Sequence, residues 1–361
     1  MQTWWGLCGS IGSMALGLFL ISCSSLPSAQ RESAHEKESV PPPRYSIIFI
    51  IHGDGNYLYH DSDGNAHNAD QKALDAARRV AARNREAEVF IFHQKPIKRT
   101  LLFFPRRDGK MYYYRHGRSY AEESYRRHRG ETRFDPELKL YHQYRTKEKS
   151  QPLRMFLYYG HEIPEFDGRG YDASHSRRSF TIHNLADGLH RFTRDFTRFD
   201  LLVLSTCFNG TPYSISALSP YARTIVASPD NLHLSYFAFE PFEWLDIRLR
   251  DGDMPEFANN FARQAFEQLK EDIHTTITVA VYDVDRVKGY VSAVDSVYIQ
   301  ALDTLKKEKP RFFDYIDCAE DSVYAMSGMN EGVNIFYRPP RFGRSQNKNN
   351  HSGWGCRVFQ Y

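Results

Sequence analysis

From residue 45 onward the chain repeats one rhythm: a run of apolar residues, then a polar turn. "YSIIFIIH" (45–52), "EVFIFH" (88–93), "LRMFLYY" (153–159), "LLVLS" (201–205), "ARTIVASP" (222–229) and "TTITVAVYDV" (275–284) each centre on a short apolar run. Such runs do not alternate, so they read as six strands buried on both faces. Segments of helical period lie between them: 68–84, 184–196 (with Leu185, Leu189, Phe192 and Phe196 on one face), 256–272 and 289–308. Strands alternating with helices predict an α/β fold, a three-layer αβα sandwich around a mainly parallel six-stranded sheet. The rhythm breaks at 94–150. There, two aromatic arms joined by Arg107-Asp108-Gly109-Lys110 predict a β-hairpin, and the basic, aromatic stretch after it reads as a solvated insertion.

The N-terminus follows a different pattern. Residues 11–22 form a short apolar run that suits a signal peptide and is too short to span a bilayer. It ends in Leu20-Ile21-Ser22-Cys23, which resembles a bacterial lipobox, so Cys23 is the expected lipidation site and 1–23 the expected signal peptide. No Lys or Arg precedes the run, and a plain cleaved signal or an uncleaved anchor is the alternative. Residues 24–44, rich in Ser, Pro and Glu, cannot bury a core and read as a tether. The folded domain is then expected at 45–310, with 311–361 as an extension packed on it. Such a protein sits at a bacterial cell envelope, with the membrane as a partner.

Composition narrows the function. The net charge is +3, from 47 basic and 44 acidic side chains, which argues against nucleic acid as the main partner. The fifteen histidines form no H-E-x-x-H and the cysteines no C-x-x-C, so neither a metal nor a cofactor is expected. Of the five cysteines, Cys207, Cys318 and Cys356 would remain in an exported domain. If Cys318 and Cys356 pair, the closed loop contributes about 4 kcal/mol and Cys207 is left over. Three buried thiols are the alternative.

Cys207 follows the fourth strand and His161 the third. Neighbouring parallel strands would carry both to one sheet edge, where open α/β sheets place their ligands. A thiol beside an imidazole can act as a nucleophile, because the imidazole manages its proton. "FDLLVLSTCFNG" (199–210), with His161 46 positions before Cys207, resembles the nucleophile strand of the caspase-like cysteine peptidases. "PYARTIVASPDNLH" (220–233) and "TTITVAVYDVDRVKGYVSAVDSVYIQAL" (275–302) resemble the clostripain branch of that clan.

The resemblance implies a Cys-His dyad, an oxyanion hole from the backbone N–H groups of Glu162 and Cys207, and a peptide or protein substrate. It also implies a substrate pocket formed by Ser205, Ser228 and Asp230, with Asp230 favouring Arg or Lys; a turn-terminating role is equally open to Asp230. Glu162 stands where the clan usually has glycine, and Ser205 where clostripain-like chains often have Asp. Those departures leave a second reading: an inactive homologue that binds a peptide or an envelope partner. His52-Gly53, after the first strand, is the rival to His161 as proton carrier.

Overall fold

The computed structural model describes residues 41–55, 58–60, 63–96, 99–100, 104–105, 107–127, 134–147, 151–233, 236–249, 253–308 and 313–359. The expected signal peptide, Cys23 and nearly all of the tether lie outside these residues. Eleven strands position the site. They are β1 Tyr45–His52, β2 Ala87–Gln94, β3 Gly109–Arg115, β4 Arg118–Tyr125, β5 Leu153–Tyr159, β6 Phe199–Ser205, β7 Ala222–Ala227, β8 Ile277–Asp283, β9 Phe313–Asp317, β10 Val333–Arg338 and β11 Gly355–Phe359. The main helices are α1 Ala69–Arg83, α2 Asp135–Tyr144, α3 Ile182–Phe192, α4 Pro212–Leu218, α5 Met254–Asp272 and α6 Val284–Glu308.

Nine of the strands form one sheet in the order β10-β8-β7-β6-β5-β1-β2-β3-β4. The five central strands, β7 to β2, run parallel. The two at each margin are antiparallel. The sheet is thus larger than the six strands expected, and its sixth expected strand, β8, runs against β7 rather than with it.

The apolar runs are explained by two-sided burial. In β1, Ile48 and Ile50 enter one core, and Ile47, Phe49 and Ile51 the other. In β6, Leu202 and Leu204 face the first core, Leu201 and Val203 the second. Helices α2, α3, α4 and α6 cover the first face; α1 and α5 cover the second. The helix starts follow local chemistry. Thr181 and Asn184 form a capping box at α3, Thr211 accepts the Ser214 N–H at α4, and Asp253 accepts the Glu256 N–H at α5.

Three boundaries differ from the sequence reading. The hairpin turns at His116-Gly117, both at positive φ, not at Asp108-Gly109. Asp108 is instead buried, 2.7 Å from the Arg178 guanidinium. The insertion is not merely a solvated appendage. Its strands β3 and β4 extend the sheet, and Arg127 and Glu137 are buried beneath it. Arg178 is a paired buried charge between Asp108 and Asp172, and Glu137 accepts hydrogen bonds from Gln94 and Tyr125. Nor does the domain stop near residue 310, because β10 is an edge strand of the main sheet. Residues 42–361 cluster as one unit. Beyond the sheet, β9 and β11 form a separate antiparallel hairpin, joined by a Cys318–Cys356 disulfide with Cα atoms 5.0 Å apart. Among the described residues, no helix is long and apolar enough to cross a membrane.

Candidate active site

The register of the two central strands places the proposed pair. Tyr159, the last residue of β5, is paired with Ser205, the last residue of β6. His161 lies two residues past the first and Cys207 two past the second. Equal steps beyond paired positions on strands ~4.8 Å apart put both residues at one rim. Tyr159 belongs to the core under α1 and α5, and Cys207 packs against that same core.

Cys207 is half-buried and is not part of a disulfide. Its Sγ lies 3.3 Å from Asn231 Oδ1, which can take the thiol hydrogen. The Leu232 N–H also donates to the sulfur at 3.3 Å.

His161 Nε2 lies 3.6 Å from Oδ1 of Asp54, just past β1. That side chain is 2% exposed, while His161 is 28% exposed. Burial holds the His161 imidazole below its ordinary range. Burial, then the neighbouring Asp172 carboxylate, pushes Asp54 up to about 7. The buried acid thus sits against the imidazole at the contact that orients it.

The rival histidine is walled in. His52 is 2% exposed, stacks on Tyr171 at 4.2 Å and has Nδ1 3.0 Å from Gln94 Oε1. Burial and the Arg127 guanidinium hold it down to about 3. It stays neutral and cannot meet a substrate, so His161 is left as the imidazole at the rim.

The loops that follow the two strands are tied together. Asn209, fully buried, accepts the Ile163 N–H at 3.0 Å and donates to the Ile163 carbonyl at 2.9 Å. Thr206 donates to the same Asn209 Oδ1 at 2.6 Å. Two residues beyond Asn209, the Thr211 hydroxyl donates to buried Glu165 of the His161 loop. Phe208, directly after the cysteine, sits at φ 52°, a left-handed conformation that costs an aromatic residue about 1–3 kcal/mol. Gly210 is required for space, since a Cβ there would lie 2.6 Å from the Pro229 nitrogen.

The residues expected to line a substrate pocket have other roles. Ser205 is fully buried, and its hydroxyl accepts the Phe237 N–H at 2.8 Å, which shapes the loop after β7. Ser228 is also fully buried, and its hydroxyl accepts the Asp230 N–H at 3.0 Å. The Asp230 carboxylate is buried beside Thr278 and His351. The Glu162 carboxylate points to the β9–β11 hairpin: Tyr315 Oη donates to it at 2.7 Å and Arg357 at 3.0 Å.

Sequence reasoning missed Asp54, Asn209, Asn231, Tyr315 and Arg357. Only Asp54 carried a signal, as the acid in a glycine-rich turn after an apolar strand.

The model of the clostripain family matches residues 158–336, a span that contains His161 and Cys207. No curated protein matches the chain by sequence. Among solved structures, the fold is similar to an inactive zymogen C11 protease from Parabacteroides distasonis. The TM-score is 0.55 at 12% identity, over 88% of this chain and 92% of that one. A secreted C11 cysteine protease from Bacteroides thetaiotaomicron matches with a TM-score of 0.46 at 10% identity, over 69% of this chain and 68% of that one. Residues 158–336, which carry the strand-end thiol and imidazole, belong to the clostripain family of cysteine peptidases.

Proposed function

We propose that the protein is an endopeptidase working through a Cys207–His161 dyad. Cys207 Sγ attacks the peptide carbonyl carbon, and the carbonyl π electrons move to oxygen. The backbone N–H groups of Glu162 and Cys207 hold that oxyanion. His161 takes the thiol proton and delivers it to the departing amine, leaving a thioester on Cys207. Water, deprotonated by the same imidazole, then hydrolyses the thioester. Asp54 is a positioning residue here: it orients the imidazole and stabilises its charged form.

One observation carries the reading: the equal offset of His161 and Cys207 past the paired residues Tyr159 and Ser205. With the Asp230 carboxylate buried, that residue gives no support to a preference for a basic side chain. Cleavage of a peptide library by wild type, Cys207→Ala and His161→Ala is the test. Loss of cleavage in both variants is expected. Cleavage retained by Cys207→Ala contradicts the reading. A folded wild type that binds peptides without cutting them would favour the inactive-homologue reading, for which Glu162 in the glycine position speaks.

We also propose that the protein is held at the cell envelope by lipid on Cys23. The apolar run before that cysteine supports this, as does the Cys318–Cys356 disulfide, a bond typical of oxidising compartments.

A further inference from the structure

One aromatic ring touches the residues that follow both catalytic positions. Tyr315, on β9, donates its hydroxyl to Glu162 Oε1 at 2.7 Å. Its ring stacks on Phe208, with centroids 4.4 Å apart and planes 3° from parallel. Glu162 comes directly after His161, and Phe208 directly after Cys207. From the paired strand β11, Arg357 reaches Glu162 at 3.0 Å and Glu165 at 3.2 Å. Its guanidinium also lies over the Tyr315 ring, 4.6 Å from the centroid. Beside it, the Gly355 N–H donates to the Gly210 carbonyl at 2.9 Å. The hairpin carrying these groups is joined by the Cys318–Cys356 disulfide.

We propose that Tyr315 and Arg357 are positioning residues, which fix the Glu162 and Cys207 peptide groups where the oxyanion forms. This rests on the peptidase reading above. The physical reason is geometric. Oxyanion donors act only at hydrogen-bond distance from the charge that develops, and a displacement of ~1 Å can cost about a hundredfold in rate. Glycine at position 162 would set its own turn, whereas glutamate gives the hairpin a handle. The left-handed Phe208 is held by the stack instead of relaxing. The handle is built of charge-assisted hydrogen bonds, the stronger kind.

The test compares wild type with Tyr315→Phe, Arg357→Met and Arg357→Lys, with exposed Arg344→Ala as the control. Three quantities are read for each: kcat and KM on one peptide, the alkylation rate of Cys207 by a small haloacetamide, and Tm. Alkylation needs the thiol and imidazole but forms no oxyanion. The expected result is a kcat lowered about tenfold to a hundredfold in Tyr315→Phe and Arg357→Met, with KM within about threefold. Alkylation should be unchanged, and Arg357→Lys should recover part of the loss. Either an unchanged kcat in Tyr315→Phe and Arg357→Met, or equal losses in kcat, alkylation and Tm, overturns the proposal. Cleavage that persists in Cys207→Ala sinks the peptidase reading itself, and this inference with it.

Discussion

At the scale of single residues, the contact between His161 and Asp54 makes the clearest prediction. With Asp54 raised to about 7, its carboxylate form is present above that pH and orients the imidazole there, so Asp54→Asn should reduce kcat roughly tenfold above pH 7 and less below it, read from a pH profile of kcat. The stability effect has a definite sign. Asp54 is raised from 3.8 to about 7, so between those values the folded state holds a proton that the unfolded state has released. That contribution to stability is complete below pH 3.8 and is lost as pH rises through 7. The stability of Asp54→Asn minus that of wild type should therefore increase between pH 4 and pH 8. Denaturant titrations at several pH values check this, and a flat difference contradicts it. His52 acts in the opposite sense. Depressed to about 3, it withdraws stability as pH falls below its unfolded value. It is common to both proteins and cancels in the difference.

At the scale of elements, the active site is two loops after adjacent strands, fastened by Asn209. Asn209→Ala would leave the Ile163 N–H and carbonyl, now paired with it, without their partner. Leaving buried polar groups unsatisfied costs about 1–3 kcal/mol each. The variant should lose about that much stability and more than half of its kcat, measured by urea unfolding and peptide cleavage. Unchanged values would mean that the two loops are held by other contacts. The strands themselves were legible in the sequence, because two-sided burial demands unbroken apolar runs such as Ile47 to Ile51. The direction of β8 was not, since the long 228–276 connection says nothing about which way the chain re-enters the sheet. The hairpin turn was misplaced because Asp108-Gly109 is a strong local turn signal. A buried ion pair with Arg178 outweighs it and leaves the turn to His116-Gly117.

At the scale of the whole molecule, the site gathers residues that sequence order keeps far apart. His161 and Cys207 could be found in the sequence because each directly follows an apolar run. Asp54 reaches His161 through the sheet order, which sets β1 beside β5. Tyr315 and Arg357 arrive through a hairpin formed only once the chain has crossed the sheet and returned. No local pattern marks such partners. Attachment is also a whole-molecule property. If Cys23 carries lipid, Cys23→Ser should release the protein into the soluble fraction and abolish incorporation of labelled palmitate in growing cells. Equal labelling of the variant contradicts the anchor. The central claim, that one rim holds the nucleophile and its proton carrier, is tested most directly by mapping the adduct of an electrophilic peptide by mass spectrometry. The account predicts modification at Cys207 that falls sharply in His161→Ala. Modification elsewhere, or at Cys207 with the same rate in both proteins, would contradict it.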